Sequence, residues 1–334
     1  MQRSTRSVLA LIAALCLGGA SPAGASDEKQ ITIHVGSPAG SGYDLPARVL
    51  ARHISKHVPG NPSPLIRNMP GANGIVLANY MTVRASKSGS EIAIVHNTVV
   101  IDAILGNEAV RFKPEELVWL GSTSPLTNTC VVWHTAPATD IAGARKTELR
   151  IGATSSTDAT AIVPKFLNAF TGTKFKVTHG YKGTSMIYNA MERGEVDGVC
   201  AAWDSIRYWR PAGRDSPDIK VLLQVGASPD PSLGDIPFVM DLANSPTDKQ
   251  TLRFLTARQA FARPFIAPPG IGAEKTAALR KAFMAIMNDP DFRADARKAG
   301  IPVEPADGET VQAMVAEIMK TPKSVVDRAQ SATQ

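Results

Sequence analysis

Hydrophobic and polar positions along the chain follow two alternating periods, one typical of strands and one typical of helices. The predicted strands are Ile31–Val35, Pro64–Asn68, Glu91–Val95, Cys130–His134, Leu149–Ala153, Lys176–His179, Gly198–Ala202 and Lys220–Gly226. The predicted helices are Leu45–Val58, Ile75–Val83, Ala159–Thr171, Ser185–Gly194, Glu274–Asn288 and Thr310–Met319. This alternation favours βαβ units, a mainly parallel sheet and an α/β fold.

The first 25 residues have the order of a secretory signal peptide. Arg3 and Arg6 precede the apolar run Val8–Leu17, and Ala23-Gly24-Ala25 is a small-x-small cleavage signal. The run is shorter than the roughly 20 apolar residues that a membrane span requires. A buried N-terminal helix is the alternative interpretation. We expect cleavage after Ala25 and export of the remaining chain.

Charge and length limit the classes of function. Cleavage would leave 34 basic residues against 30 acidic ones, a net charge of about +4. The chain has no basic run with interleaved aromatic residues, so the sequence gives no indication of nucleic-acid binding. The mature chain is roughly twice the usual domain size of 100–150 residues, which predicts two domains.

Two cysteines remain after removal of Cys16 with the signal peptide. Cys130 and Cys200 lie in apolar runs that predict strands. In an oxidising compartment the two residues either form a disulfide or stay as buried free thiols. We expect their strands to be neighbours in the second domain. Neither cysteine has a second cysteine or a histidine close by, so a metal site is the weaker interpretation.

The stretch SPAGSGYDLPAR, Ser37–Arg48, joins a predicted strand to a predicted helix. Gly40 and Gly42 allow a ligand to approach the backbone, and the helix start offers free N–H groups and a positive dipole end. The loop fits neither a dinucleotide fingerprint, whose third glycine would fall at Leu45, nor a P-loop. It therefore predicts an anion site without a cofactor, with a bare turn as the alternative. Asp44 either caps the helix or contacts a ligand.

A second loop of the same design follows the predicted strand Leu149–Ala153. Thr154, Ser155, Ser156 and Thr157 offer hydroxyl donors suited to carboxylate oxygens. In open α/β sheets, ligands bind outside the carboxyl ends of the strands. We therefore predict a site between the two domains, with Ser41–Asp44 as one wall and Thr154–Thr157 as the other.

The sequence gives little evidence for a catalytic site. The chain contains neither G-x-S-x-G nor H-E-x-x-H. His53 and His57 are spaced as a metal pair, but they flank Arg52 and Lys56 and lack a third ligand, so we interpret them as a solvated helix face. His96 follows a predicted strand, and a structural role is favoured over a place in the cleft.

Four motifs occur in the order found in one receptor family. They are Pro38-Ala39-Gly40-Ser41-Gly42-Tyr43-Asp44 with Ala47-Arg48; Asn68-Met69-Pro70-Gly71-Ala72-Asn73-Gly74; Tyr181-Lys182-Gly183 with Gly194-Glu195-Val196-Asp197; and Phe265-Ile266-Ala267-Pro268-Pro269-Gly270 with Asp289-Pro290 and Gly300. The chain resembles the extracytoplasmic receptors of tripartite tricarboxylate transporters over nearly its whole mature length.

The resemblance implies a periplasmic binding protein: two α/β lobes, a hinge and a ligand cleft between the lobes. The expected division is 1–25 signal peptide, 26–123 first lobe, 124–225 second lobe, and 226–334 return to the first lobe with the C-terminal helices. It implies a monomeric, non-enzymatic receptor that needs neither metal nor cofactor. The receptor would hold an organic acid by backbone N–H groups and ordered water and deliver it to large and small membrane permease subunits.

The candidate ligand-binding residues combine both loops with the matching motifs. They are Gly40, Ser41, Gly42, Tyr43, Asp44, Asn97, Thr98, Thr154, Ser155, Ser156, Thr157, Tyr181, Lys182, Trp203 and Asp204. Near the expected pocket the chain departs from the family pattern at Thr160-Ala161, at Gly180 and at Trp203-Asp204. The ligand therefore need not be a tricarboxylate: Tyr43 and Trp203 either favour a bulkier or aromatic acid or pack at the lobe interface. A secreted enzyme on a two-lobed fold and a sensor for a signalling partner are the alternative functions.

Overall fold

The computed structural model describes residues 30–156 and 158–333. The predicted signal peptide, its cleavage after Ala25 and the candidate ligand residue Thr157 lie outside the described residues. In this part of the chain, no helix combines the length and the apolar character needed to cross a membrane.

Strands and helices alternate through the described chain. The strands are β1 (Gln30–Val35), β2 (Ser63–Asn68), β3 (Glu91–Ile94), β4 (Val118–Ser122), β5 (Asn128–Trp133), β6 (Leu149–Ala153), β7 (Phe175–His179), β8 (Gly198–Ala202), β9 (Ile219–Val225), β10 (Pro264–Ala267) and β11 (Ala306–Asp307). The helices are α1 (Asp44–Ile54), α2 (Ile75–Val83), α3 (Thr98–Ile104), α4 (Ile141–Ala144), α5 (Ala159–Thr171), α6 (Thr184–Glu192), α7 (Trp203–Trp209), α8 (Pro246–Ala257), α9 (Ala273–Asn288), α10 (Pro290–Lys298), α11 (Gly308–Met319) and α12 (Lys323–Thr333).

The strands form two separate sheets, each the centre of one lobe. The first sheet has the order β11-β4-β10-β3-β1-β2, and the second has the order β7-β6-β8-β5-β9. Helices α1, α9 and α10 cover one face of the first sheet, and α2, α3 and α11 cover the other. Helix α5 covers one face of the second sheet, and α6 and α7 cover the other.

The prediction of a mainly parallel sheet is wrong. Strands β1, β2 and β3 pair in parallel, as do β6, β7 and β8, but β4, β5, β9, β10 and β11 form antiparallel pairs. Strands β4, β5, β9 and β10 lie next to the segments that cross between the lobes, and β11 belongs to the C-terminal part of the chain. Parallel βαβ units therefore make up only the part of each sheet that is built from consecutive sequence.

Two crossing segments, residues 123–127 and 259–263, lie side by side and form the hinge. The Leu126 N–H donates to the Gln259 carbonyl at 2.8 Å, and the Ala262 N–H donates to the Ser124 carbonyl at 3.2 Å. Helix α12 adds a third connection, because its buried residues belong to the core of the first lobe while it also packs on α5 of the second lobe. The segment 226–334 thus contacts both lobes, and the predicted lobe boundaries stay a prediction.

Cys130 and Cys200 lie opposite each other on β5 and β8, with Cα atoms 4.0 Å apart. The prediction that their strands are neighbours is confirmed. Of the two alternatives, the structure contains the disulfide. Both side chains are fully buried within the core of the second lobe.

His53 and His57 contact acidic residues of α10. His53 Nε2 lies 3.0 Å from an Oδ atom of Asp295, and His57 Nε2 lies 2.8 Å from an Oδ atom of Asp289. His53 is only 6% exposed, so the interpretation as a solvated helix face is wrong for this residue. The spacing within α1 gave no sign of α10, which comes more than 200 residues later and covers that face.

The Asp289–His57 pair predicts a loss of stability in acid. The hydrogen bond from His57 holds the pKa of Asp289 at about 2, below its ordinary value of 3.8. A carboxylate with a lowered folded-state pKa contributes stability that is present above the ordinary value and lost as pH falls through the folded one. We expect Asp289→Asn to weaken the pH dependence of the unfolding free energy between about pH 4 and 2, measured by urea denaturation.

Asp241→Asn is the matched control, because the Asp241 carboxylate is exposed. This variant should keep the wild-type dependence on pH. An Asp289→Asn variant with the wild-type slope would contradict the assignment.

Candidate functional site

The first loop, residues 37–43, is held from below by the buried carboxylate of Asp44. One oxygen of this carboxylate accepts hydrogen bonds from the Gly40 N–H and from Arg48 Nε, both at 2.7 Å. The other oxygen accepts from Asn68 Nδ2 at 2.8 Å. Burial acts to raise the pKa of Asp44, and these three bonds outweigh it, so the pKa lies below its ordinary value.

These bonds give Asp44 the task of ordering the loop. The first N–H groups of α1 bond instead to Ser41: its carbonyl accepts from Asp44 at 3.0 Å and from Leu45 at 3.1 Å. A direct contact of Asp44 with a ligand stays a prediction, as does ligand contact for the rest of the candidate set.

Asp44→Ala should lower stability and affinity together. Charge-assisted hydrogen bonds contribute about 1.5–3 kcal/mol each to stability in mutational series. We expect a fall of about 2–3 kcal/mol in the unfolding free energy by urea denaturation, because the Gly40 N–H and Arg48 lose their acceptor. Asp44→Asn should recover part of this loss, since its amide oxygen still accepts one bond. Wild-type stability in Asp44→Ala would contradict the ordering role.

The open side of the loop presents backbone donors. Among the described residues, no acceptor bonds the N–H groups of Gly42 and Tyr43. Gly42 is exposed, and a Cβ added to it would meet no atom within 4 Å. The predicted anion site therefore has two free N–H groups beside empty space.

The side chain of Tyr43 turns toward the hinge. Its ring stacks on His96 with centroids 4.1 Å apart, and its hydroxyl donates to the Ala262 carbonyl at 3.1 Å. His96 Nε2 lies 2.6 Å from Ser37 Oγ, and burial lowers the pKa of His96 to about 4. Histidine 96 is thus a neutral packing partner, in agreement with the favoured interpretation.

The second loop repeats this arrangement at the end of β6. Asp158 caps α5 by accepting from the Thr160 N–H, and the Thr154 hydroxyl bonds to the Asp158 carboxylate. Ser155 and Ser156 are exposed, and among the described residues no acceptor bonds their N–H groups. Both loops therefore place unpaired donors at the carboxyl end of a strand.

Asn97 and Thr98 begin α3 at the carboxyl end of β3. Asn97 is buried, and its amide donates to the Arg258 carbonyl at 2.7 Å across the hinge. The Thr98 hydroxyl makes a long 3.4 Å bond to the Asn73 carbonyl. Asn97 thus acts on the hinge, and Thr98 lies at the edge of the first lobe.

The remaining candidates lie on the second lobe. Tyr181 is half-buried beside Gly152, and Lys182 is exposed. Trp203 is buried and donates from Nε1 to Ser232 Oγ at 2.9 Å. Trp203 and Asp204 line a cavity of about 250 Å³ at the hinge. Trp203 and Asp204 directly follow β8, which pairs in parallel with β6, so they leave the same edge of the sheet as the second loop. The ring of Trp203 is engaged in packing.

Sequence reasoning missed two arginines at the hinge: Arg263 lies within it, and Arg258 directly precedes its second segment. Arg258 donates to Asn97 Oδ1 at 3.2 Å, and Arg263 donates to Ser124 Oγ at 3.0 Å. No carboxylate of the described chain lies within 4.0 Å of either guanidinium. Only their place between two lobes distinguishes them, and no local motif marks that place. In the same part of the chain, no group of three or more His, Cys, Asp or Glu residues is arranged for a metal ion.

Comparison of the fold with solved structures finds several solute-binding proteins of similar structure. A TctC solute-binding protein from Polaromonas superposes with a TM-score of 0.70 at 16% identity, covering 91% of this chain and 98% of that one. The periplasmic binding protein BugD gives 0.62 at 19% identity, covering 91% and 98%. MatC from Rhodopseudomonas palustris with bound malate gives 0.59 at 17% identity, covering 92% and 99%.

The chain has the fold of these solute-binding proteins. The predicted two-lobed α/β architecture is thereby confirmed, and the family resemblance seen in the motifs is matched at the level of the fold. No family model matches the sequence, and no curated protein matches it.

Proposed function

We propose that this protein is a non-enzymatic periplasmic receptor that captures an organic carboxylate between its lobes. The observation that carries the proposal is the pair of strand-end loops with unpaired N–H groups, at Gly42 and Tyr43 in one lobe and at Ser155 and Ser156 in the other. Free N–H groups at a helix start form an anion site without a metal or a cofactor.

Two donor sets on separate lobes explain why binding and closure would be coupled. A carboxylate held by one loop would meet the donors of the other loop only when the lobes approach. The ligand would therefore stabilise the closed form by its additional bonds to the second lobe. Hinge residues 123–127 and 259–263 are the connections that would absorb this motion.

The fold supports the class of function, since the similar structures include a protein solved with bound malate. The ligand would be an acid small enough to lie between the loops, since the rings of Tyr43 and Trp203 are both engaged in packing. Export through the predicted signal peptide would place the receptor in the periplasm.

A thermal-shift panel tests the proposal. The mature chain, residues 26–334, is mixed with malate, succinate, citrate and benzoate, and with the amides of the same acids. A ligand present at 100 times its Kd should stabilise the fold by about 2.7 kcal/mol. We expect at least one acid, and none of its amides, to raise the melting temperature. Equal effects of acid and amide would contradict carboxylate recognition.

Delivery to a tripartite permease is the second half of the proposal. In cells of the source organism, deletion of the receptor should abolish uptake of the labelled acid selected by the panel. Expression of the wild-type receptor should restore uptake, whereas Gly42→Val should not. Unchanged uptake with a lost transcriptional response to the acid would instead assign the receptor to a signalling partner.

A further inference from the structure

A side pocket of about 130 Å³ lies between α3, α5, α8 and α12. We call it the side pocket. It shares Thr98 with the candidate ligand set, but it includes none of the residues 40–44 or 154–156. A single water molecule needs at least about 10–15 Å³ of this volume, so the side pocket has room for a small organic molecule.

One charged group of the side pocket is Arg258. Its guanidinium donates to Asn97 Oδ1 at 3.2 Å, and no carboxylate of the described chain lies within 4.0 Å. Burial lowers the pKa of Arg258, and the more distant charge of Asp102 opposes this only in part. Because the Arg258 side chain is half-buried and has no carboxylate in contact, the site favours a bound anion.

The opposite charge is Asp102, which also lines the side pocket. Its Oδ2 atom is buried and has no hydrogen-bond partner in the described chain, and its Oδ1 atom accepts one long bond of 3.5 Å from Asn107. Burial raises the pKa of Asp102. Neither oxygen accepts a short hydrogen bond, so the carboxylate suits a cationic N–H donor, which also favours its charged form.

Besides the two charges, six of the lining side chains are large and apolar. Ile101 and Leu105 come from α3, Ile162 and Phe166 from α5, and Phe254 and Leu255 from α8. A ligand with only a negative group would face the repulsion of Asp102, and one with only a positive group would face Arg258. A molecule with both charges and an apolar side chain satisfies all three features.

We propose that the side pocket binds a small zwitterion, an α-amino acid with a branched apolar side chain, separately from the carboxylate in the cleft. Its carboxylate would accept bonds from the Arg258 guanidinium, and its ammonium would donate to the Asp102 carboxylate. Its side chain would pack on Ile162 and Phe166. Because the walls come from both lobes and from α12, a bound ligand would affect how the lobes move about the hinge.

Isothermal titration with three probes of matched shape tests the proposal in the wild-type protein. L-valine carries both charges, 3-methylbutanoate lacks the ammonium, and 2-methylpropylamine lacks the carboxylate. We expect valine to bind and each analogue to bind at least about tenfold more weakly, as expected for loss of a charge-assisted bond. Binding of 3-methylbutanoate as tight as that of valine would overturn the role of Asp102. No binding of valine would overturn the proposal.

Two substitutions and two controls place the binding in the side pocket. Asp102→Asn should weaken valine about tenfold and strengthen 3-methylbutanoate, which no longer meets a like charge, whereas Arg258→Gln should weaken both. Arg263→Gln removes the other unpaired hinge arginine and should bind valine like the wild type. Gly42→Val should also keep valine binding. Loss of valine in Gly42→Val would make valine a ligand of the cleft and overturn the separate site, without touching the proposed receptor function.

Discussion

Gly42→Val is expected to lower the affinity for the carboxylate ligand by about 100-fold or more, equivalent to roughly 2.7 kcal/mol. The valine side chain would occupy the space beside the free N–H groups of Gly42 and Tyr43, where the ligand has to approach. The stability of the ligand-free protein should change by no more than about 0.5 kcal/mol, as for most surface substitutions. A Cβ at this position meets no neighbouring atom within 4 Å. Isothermal titration and urea denaturation measure the two effects.

Two further variants control this experiment. Gly42→Ala adds a single methyl group and should give an intermediate affinity. Ala39→Val adds apolar bulk at an exposed position of the same loop, and it should leave affinity nearly unchanged. Wild-type binding by Gly42→Val would place the site elsewhere and leave SPAGSGYD as a bare turn.

Removal of the disulfide is expected to have the largest effect on stability. The Cys130–Cys200 bridge joins residues 70 positions apart, and in the chain-entropy treatment a loop of this length is worth about 4 kcal/mol. We expect the double variant Cys130→Ala, Cys200→Ala to lose about this much unfolding free energy, measured by urea denaturation against the oxidised wild type.

A reducing agent provides the internal control. Dithiothreitol added to the unfolding reaction should destabilise the wild type and leave the double variant unchanged. Alkylation of both cysteines in the unreduced, denatured protein, detected by mass spectrometry, would show that the bridge is absent.

Several elements were predicted correctly from the local sequence alone. Helices α2 and α5 and strands β6 and β8 occupy the predicted bounds residue for residue. In α5, the stripe that includes Val163, Phe166 and Phe170 faces the second sheet, so the local pattern reflects the burial. In this helix the residues that recur at the helical period are also the buried ones, so the sequence pattern predicts the element.

Elements that depend on distant partners escaped prediction. Strand β10 begins at Pro264 and has four buried residues without a period, and β3 and β4 hold it as a strand from both sides. Helix α10 has a low mean hydropathy and few buried residues, and its packing partner α1 lies far away in sequence. The antiparallel pairs of both sheets also join strands that are distant in sequence, so the mixed character of the sheets escaped prediction as well.

The candidate site shows the same division. Both strand-end loops were recognisable because glycines and hydroxyl residues between a strand and a helix have a local meaning. The ordering role of Asp44 depends on Asn68, 24 positions away, and the Asn97–Arg258 contact spans 161 positions. Contacts of this kind form only when distant parts of the chain come together in the fold, so no local sequence motif predicts them.

The central claim is that backbone N–H groups of two loops hold a carboxylate between the lobes. A crystal structure of the mature protein with the acid selected by the thermal-shift panel tests it most directly. We predict carboxylate oxygens within about 2.7–3.2 Å of the backbone nitrogens of Gly42 or Tyr43 in one lobe and of Ser155 or Ser156 in the other. An acid bound in the hinge cavity beside Trp203 and Asp204, with both loops still open to solvent, would contradict the account.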